Sequence, residues 1–131
     1  MNTYEFNIKT SKKSEFINIT RQIESLISKN EIKNGICVVF TPHTTAGITT
    51  NENADPDVVR DIIMELDKIV LENDGYLHFE GNSAAHIKSS MMGVSHTYII
   101  ENSKLKIGRW QGIYFTEFDG PRNRKVFVKI M

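Results

Sequence analysis

The C-terminal stretch IYFTEFDGPRNRKVFVKIM, residues 113–131, favours antiparallel strands. Apolar and polar side chains alternate on both sides of a polar turn, a period typical of strands with one buried face. Val126, Val128 and Ile130 share one face, which we expect to point inward. Just upstream, Asn102-Ser103 separates two further strand-like segments and suits a two-residue hairpin turn. The C-terminal third of the chain is therefore predicted to consist of strands.

Three segments show the helical period instead. Residues 55–70 begin with Asp55, Pro56 and Asp57, which suit the cap, the first position and the positive end of a helix. Their apolar residues then recur on one face. Residues 19–29 repeat the pattern, with Asn18 or Thr20 as cap, and residues 83–92 predict a short third helix between Asn82 and Gly93.

The remaining segments complete an α+β prediction. Residues 4–9 alternate as a strand, residues 36–40 form an apolar run typical of a strand buried on both faces, and residues 48–50 are a short β-branched stretch. The order of elements predicts one α+β domain over residues 1–131, an antiparallel sheet with two main helices and a short third.

Charge and cysteine content narrow the function classes. Lys and Arg number 16, as do Asp and Glu. This balance argues against a nucleic-acid partner and against an anionic membrane surface. The single cysteine, Cys37, excludes an internal disulfide, and its apolar neighbours indicate a buried, inert thiol. The charged N-terminal segment is unlike a signal peptide, so we expect a cytoplasmic protein.

His43, His78 and His86 lie in three dense polar motifs, TPHTT, HFEGN and SAAH. Neutral imidazoles bind zinc-like ions, and three protein ligands with one open position make a catalytic metal site. Their spacing matches no local metal motif. The alternatives are therefore one shared divalent-metal site, or three separate histidines hydrogen-bonded at turns.

Three carboxylates are candidate catalytic groups. Glu52 and Asp55 lie in the acidic segment NENADPD, and Glu80 follows His78 closely. Helix capping accounts for Asp55 without any function, whereas it leaves Glu52 unexplained. A carboxylate near a histidine can orient the imidazole or act as a general acid or base.

A basic turn and a polar helix face indicate an anion. Arg122 and Arg124 follow the turn formers Gly120 and Pro121, and arginine forks bind phosphate oxygens bidentately. Lys88 and Ser90 of the predicted third helix could extend this pocket. Surface ion pairs are the competing interpretation of the arginines.

Trp110 lies between two glycines in the segment GRWQG. Core packing is the role we expect for it, with stacking on a flat heterocycle as the alternative.

Together these segments resemble the YjbQ-like family, often labelled secondary thiamine-phosphate synthase. The resemblance runs from about residue 4 to the C-terminus and rests on motifs in the same order: HTTA (43–46), NENADPDV (51–58), EGNS (80–83), AHIK (85–88), GRWQGIYF (108–115) and EFDGPR (117–122). This chain departs from many relatives at Thr116, where they have Cys, and at Ala84, where they have Asp.

The resemblance implies a homotrimer of small α+β subunits with clustered histidines that can hold a metal. It also implies an enzyme that joins a pyrimidine methyl pyrophosphate to a thiazole phosphate and releases pyrophosphate. Pyrophosphate usually partners magnesium, which prefers oxygen ligands, whereas three histidines favour zinc. Two alternatives therefore stay open: a metal-dependent hydrolase of a phosphorylated small molecule, and a non-catalytic metal- or anion-binding trimer.

Overall fold

A computed structural model of the protein describes residues 2–131. Eight strands and three helices follow one another along the chain: β1 (Thr3–Lys9), β2 (Glu15–Asn18), α1 (Thr20–Lys29), β3 (Gly35–Phe40), β4 (Ala46–Glu52), α2 (Pro56–Ile69), α3 (Ser83–Met92), β5 (Ser95–Glu101), β6 (Lys104–Leu105), β7 (Gln111–Glu117) and β8 (Asn123–Ile130). This is an α+β domain with antiparallel strands, two longer helices and α3, as the sequence predicts.

The strands form two sheets rather than one. The larger has the order β1-β8-β3-β5-β6, the smaller the order β2-β7-β4, and every pairing is antiparallel. β7 and β8, adjacent in sequence, therefore lie in different sheets. The polar turn between them joins the two sheets instead of closing a hairpin.

The apolar core lies between the sheets and under α1. Its fully buried members come from both sheets and from this helix: Ile19, Ile23, Val39, Ile48, Ile113, Phe115, Val126 and Val128. The inward face predicted for β8 is confirmed. The prediction of a doubly buried strand at residues 36–40 is wrong, because Ile36 and Phe40 on β3 stay partly exposed; residues 112–117 of β7 are buried on both faces instead.

The helix boundaries largely follow the predicted caps. The Asp55 side chain accepts the Asp57 N–H at 2.9 Å, which caps α2. The Asn18 side chain accepts the N–H of Thr20 at 3.0 Å, at the start of α1. Asn82 precedes α3, but its amide bonds elsewhere, as described below. No helix in residues 2–131 is long and apolar enough to cross a membrane.

Local turn chemistry predicts the β5–β6 hairpin correctly. Asn102 and Ser103 both have positive φ, 53° and 65°, which the short turn between these strands requires. The sequence did not indicate β2, a four-residue strand at the edge of the smaller sheet.

Gly47 on β4 sets how closely α3 approaches the smaller sheet. A Cβ at this position would lie 2.8 Å from the Gly93 carbonyl oxygen, 2.8 Å from the Met92 Cβ and 3.0 Å from the Thr116 Oγ1. Two of these atoms belong to the end of α3 and the residue that follows it. Glycine at this position therefore lets α3, which carries His86, rest directly on β4.

We expect Gly47→Ala to lower the free energy of unfolding by about 1–3 kcal/mol, because backbone atoms must move to admit the methyl group. Urea unfolding followed by circular dichroism measures the change. Gly108→Ala is the matched control, since its added Cβ meets the flexible Gln111 side chain at 3.3 Å. Equal losses in the two variants would contradict this packing argument.

Candidate functional site

Four distant segments meet around one open cavity of about 550 Å³, called here the polar cavity. They are the β3–β4 loop, the α2–α3 connection, α3, and the β7–β8 turn with the start of β8. Its principal lining residues are His43, Thr45, His78, Glu80, Asn82, His86, Asp119, Arg122 and Arg124. The three histidines and the two arginines singled out in the sequence thus share one cavity.

Hydrogen bonds from three directions hold the β3–β4 loop that carries His43. The Thr41 hydroxyl donates to the Lys125 carbonyl on β8 at 3.2 Å. The Thr41 N–H donates to the Val94 carbonyl at 2.9 Å, beyond the end of α3. The Phe118 N–H donates to the Thr45 carbonyl at 3.1 Å, from the end of β7. The loop is therefore fixed against both sheets, and so is His43.

His43 acts as a hydrogen-bond acceptor from the protein itself. Its Nε2 accepts the backbone N–H of Lys125 at 2.9 Å, so a neutral ring carries its proton on Nδ1. Burial, and then repulsion by the nearby Arg124 guanidinium, lower the pKa of His43 below its ordinary value of 6.5. The imidazole is therefore neutral at pH 7, and its available polar hydrogen is Nδ1–H.

His78 and His86 lie against each other at the wall of the cavity. Their ring centroids are 5.3 Å apart, and the rings are nearly perpendicular, with an interplanar angle of 86°. The ring nitrogens of His78 and His86 make no hydrogen bond to any other side chain or backbone group of residues 2–131. Both imidazoles are thus available to a ligand or a reacting group.

Arg124 and Glu117 form a buried ion pair behind the cavity. Glu117 at the end of β7 is 0 % exposed and Arg124 on β8 is 4 % exposed. The guanidinium binds both carboxylate oxygens, with Arg124 Nε 2.8 Å from Glu117 Oε1, and its Nη2 also donates to Thr45 Oγ1 at 2.8 Å. Thr10 adds a hydroxyl 2.7 Å from Glu117 Oε1. The pair joins the two sheets to the loop that bears His43.

The hydrogen bonds outweigh burial in setting the charge of Glu117. Burial alone would raise the pKa of this carboxyl, but the bonds from Arg124, from the Asp119 N–H and from Thr10 hold it below its ordinary value of 4.5. Asp119 follows the same logic. Burial opposes its ionisation, and hydrogen bonds from Asn82 and Arg122 lower its pKa below 3.8. Both carboxylates are therefore charged at pH 7.

Arg122 is the exposed arginine of the site. Its Nε donates to the Asp119 carbonyl at 2.8 Å and its Nη2 to Asp119 Oδ2 at 3.0 Å. The same Oδ2 accepts the Asn82 amide at 3.0 Å. Asn82 Oδ1 is buried and has no hydrogen-bond partner among the described residues. An unpaired buried acceptor at a cavity wall is a feature that a donor group of a ligand would satisfy.

Glu52, Asp55 and Trp110 lie at the opposite end of the smaller sheet. Glu52 pairs with Gln111 at one end of the β4–β7 ladder, whereas Ala46 pairs with Glu117 at the other. A seven-residue strand spans about 20 Å, so these residues are remote from the polar cavity of the same chain. Of the three candidate catalytic carboxylates, the structure brings only Glu80 to the histidines among residues 2–131.

Trp110 and Lys88 differ from expectation. The prediction of a core position for Trp110 is wrong, since this side chain is 56 % exposed and the Arg109 guanidinium lies 4.8 Å from its ring centroid. Lys88 is buried beneath α3, where its ammonium group binds Asp67 on α2 at 2.5 Å and lies 5.9 Å from the centre of the Phe118 ring. Lys88 thus ties α3 to α2 instead of reaching the arginines.

The hydroxyl of Ser90 donates to the His86 carbonyl at 3.0 Å, within α3. Ala84 and Thr116, the two positions singled out by the family resemblance, are interior. Ala84 on α3 is buried, and the buried Thr116 hydroxyl faces Gly47, without a hydrogen-bond partner in the part of the chain described.

Glu117 and Thr10 complete the site without having been predicted. The strand period contains the signal that identifies the ion pair, because Glu117 shares a face of β7 with Ile113 and Phe115. In the same way Arg124 shares a face with Val126 and Val128. A charge on the inward face of each strand indicates that the two charges pair. Thr10 carries no comparable signal.

The predicted three-histidine metal centre fits these residues only in part. His43 has its Nε2 lone pair occupied by the Lys125 N–H, which leaves it no free nitrogen for a metal. His78 and His86 keep free nitrogens and fit a zinc-like ion as ligands. Within residues 2–131, no group of three or more His, Cys, Asp or Glu side chains is arranged to hold a metal ion.

Comparison with known proteins agrees with the fold and the motifs. A sequence profile of the family described as "UPF0047 protein YjbQ-like" matches residues 4–131. The chain belongs to the YjbQ-like UPF0047 family. A UPF0047 protein of Methanocaldococcus jannaschii is 53 % identical over 128 residues, which are 98 % of this chain and 93 % of the relative. UPF0047 protein YugU of Bacillus subtilis is 50 % identical and covers 95 % of each chain.

Solved structures of the YjbQ-like family share the architecture. The crystal structure of an uncharacterised yjbq/upf0047 family protein from Clostridium acetobutylicum superposes with a TM-score of 0.96 at 59 % identity, covering 98 % of this chain and 99 % of that one. A hypothetical protein from Aeropyrum pernix gives a TM-score of 0.95 at 32 % identity, with 100 % and 98 % coverage. The fold is therefore that of the family.

Glu117 gives the stability a specific pH dependence. Because its pKa is lower in the folded than in the unfolded chain, it stabilises the fold above pH 4.5, and this contribution is lost as the pH falls through the lowered value. We expect Glu117→Gln to lower the unfolding free energy at pH 7 by about 3–5 kcal/mol, because Arg124 stays buried without its counter-charge.

Urea unfolding at pH 7 and pH 3.5 measures both effects of Glu117→Gln. The loss of stability between the two pH values should be smaller in the variant than in the unsubstituted protein. The part of the loss that remains would come from Asp119, whose pKa is also lowered in the folded state. Glu24→Gln on the exposed face of α1 is the matched control. An unchanged difference between pH 7 and pH 3.5 would show that Glu117 does not carry this dependence.

The free nitrogens of the histidines lead to a metal-binding prediction. We expect added Zn²⁺ to bind at His78 and His86, so that His78→Ala or His86→Ala weakens its affinity more than about tenfold, while His43→Ala changes it less than about twofold. Calorimetric titration of untagged protein measures the dissociation constants, and His96→Ala, whose ring bonds the Met92 carbonyl, is the control. Equal losses of Zn²⁺ affinity in the three cavity variants would support the three-histidine metal centre instead.

Proposed function

We propose that the polar cavity binds a phosphorylated small molecule and catalyses a thiamine-phosphate synthase-like transfer on it. The observation that carries the proposal is the meeting of three histidines, two arginines and an unpaired Asn82 oxygen around one cavity. Titratable groups and fixed charges that converge on a concave surface are typical of an active site.

The donors of this cavity suit the oxygens of a phosphate group. A guanidinium has five N–H groups, and Arg122 uses two of them on Asp119, which leaves the others for a ligand. His43 offers its Nδ1–H, and the positions of both donors are fixed by the bonds described above. Arg124 contributes positioning more than charge, since Glu117 neutralises it.

The charge balance indicates how a pyrophosphate would be accommodated. Glu117 neutralises Arg124, Asp119 offsets Arg122, and Glu80 adds a further carboxylate, so the wall brings no net positive charge of its own. A magnesium ion bound to the pyrophosphate would supply that charge and polarise the leaving group. The carboxylates of Glu80 and Asp119 are oxygen donors of the type that magnesium prefers.

In the proposed reaction, the thiazole ring nitrogen forms a C–N bond with the pyrimidine methylene carbon as the C–O bond to pyrophosphate breaks. Arg122 and His43 would hold the departing oxygens through N–H donors. His78 or His86, whose nitrogens are free, would donate a proton to the departing pyrophosphate. Glu80 on the same connection is the carboxylate placed to assist them.

We expect purified protein with Mg²⁺ to form thiamine phosphate from the two precursors. His86→Ala should lower kcat/KM by about 100-fold or more, because it removes a group that acts on the reacting atoms. His96→Ala is the matched control and should stay within about twofold, since His96 lies on β5 and bonds the Met92 carbonyl. Chromatography of the product measures the rates.

Formation of no product, or equal rates for His86→Ala and the unsubstituted protein, would contradict the enzymatic proposal. Tight binding of pyrophosphate without turnover would support the non-catalytic anion-binding alternative. Phosphate release from a phosphorylated substrate on added Zn²⁺ would support the hydrolase alternative, which the two free imidazoles favour.

We also propose that the protein is a homotrimer, as its family resemblance implies. Exposed apolar side chains support self-association. Leu77 and Phe79, on either side of His78, are 99 % and 92 % exposed, and Ile69 at the end of α2 is exposed as well. Side chains of this kind commonly become covered in an interface.

A further inference from the structure

We propose that a second cavity beside the polar cavity holds the planar, uncharged ring of the phosphorylated substrate, with Phe40 as its stacking face. This apolar cavity, of about 620 Å³, shares Pro42, His43, Thr44 and His86 with the polar cavity. The inference rests on the proposed function, because it assigns the other end of a molecule whose phosphate occupies the polar cavity.

The shared residues make the two cavities one groove with two halves. His43 and His86 stand at the junction, so a ligand that spans both halves places the bond between its ring and its phosphate beside the two imidazoles. A phosphate alone would fill one half. The second half therefore selects for a substrate whose phosphate carries a further group.

The polar groups of the apolar cavity are largely committed to the protein itself. The hydroxyl of Thr41 donates to a backbone carbonyl at 3.2 Å, that of Ser89 at 2.6 Å and that of Ser90 at 3.0 Å. These donors are therefore not available to a ligand. What remains at the wall is mainly apolar surface. A charged group placed against it would find no polar partner, whereas a flat ring would cover it.

Phe40 supplies the aromatic face that Trp110 cannot supply. It lies at the end of β3, is 38 % exposed, and stacks on Phe127 of β8 with ring centroids 6.4 Å apart and planes at 26°. The stack holds the Phe40 ring on the sheet while part of it faces the cavity. Trp110, the tryptophan of the chain, lies at the opposite end of the smaller sheet.

The test compares phenyl phosphate with inorganic phosphate by titration followed with ¹⁵N-resolved NMR. We expect phenyl phosphate to bind about tenfold more tightly, since its ring gains an aromatic contact that inorganic phosphate lacks. The ring should also shift the backbone amides of Thr41 and Val94, which line the apolar cavity.

Variants locate the ring. Phe40→Leu should remove most of the preference for phenyl phosphate while leaving the affinity for inorganic phosphate within about twofold. Val94→Thr, an isosteric change at a partly exposed wall position, should reduce the same preference in a protein whose fold is unaltered. Phe6→Leu is the matched control, because Phe6 lies on β1, outside the lining of the apolar cavity, and this variant should keep the preference for phenyl phosphate.

Three outcomes would overturn the assignment: no binding of phenyl phosphate, no preference over inorganic phosphate, or a preference that survives both Phe40→Leu and Val94→Thr. The proposed function fails separately. A ring preference that depends on Phe40, without formation of thiamine phosphate, supports the apolar cavity and contradicts the synthase. Formation of thiamine phosphate by Phe40→Leu with an unchanged KM for the pyrimidine supports the synthase and overturns the ring site.

Discussion

The buried Glu117–Arg124 ion pair is the interaction on which the architecture of the site depends. Each partner lies on the inward face of its strand, and the two strands belong to different sheets. A charge buried in this way destabilises the fold unless its partner and its hydrogen bonds are all present. Glu117 meets that requirement with five hydrogen bonds, from Arg124, Thr10 and two backbone N–H groups. The pair therefore ties the sheets together only in one relative position.

That position also determines the cavity wall. Arg124 reaches Thr45 and so orders the loop that carries His43, while Glu117 binds the N–H of Asp119 and so orders the turn that carries Arg122. Gly120 completes the turn, because a Cβ there would lie 2.2 Å from the Lys12 carbonyl oxygen. The cavity-lining side chains of His43 and Arg122 are thus held close to the interior network, His43 by the N–H of Lys125 and Arg122 by Asp119, which is how a site on loops keeps its geometry.

The features predicted correctly from sequence are those determined by near neighbours in the chain. The cap and proline of α2 and the Asn102–Ser103 turn act within a few residues, so short sequence patterns are enough to predict them. The separation of β7 and β8 into two sheets depends on contacts with β4 and β3, which local pattern does not encode. The sequence left open whether the three histidines share a site, and the structure lines one cavity with all three. Glu52 and Asp55 lie far from that cavity, because proximity in sequence to His43 says little once a strand of about 20 Å intervenes.

His43 shows why residue type alone is an insufficient guide to chemistry. A histidine among other histidines suggests a metal ligand, yet the Lys125 N–H takes its free lone pair and makes it a donor instead. The role of His43 is thus set by the backbone N–H of Lys125, which is 82 positions away in the chain and lies near the start of β8. The adjacent Arg124 also lowers the pKa of the ring. Lys125 follows Arg124 directly in β8, so the backbone group that sets the tautomer of His43 is adjacent in sequence to the ion pair that joins the sheets. An oxyanion, which needs N–H donors of fixed direction, is the ligand that such an arrangement favours.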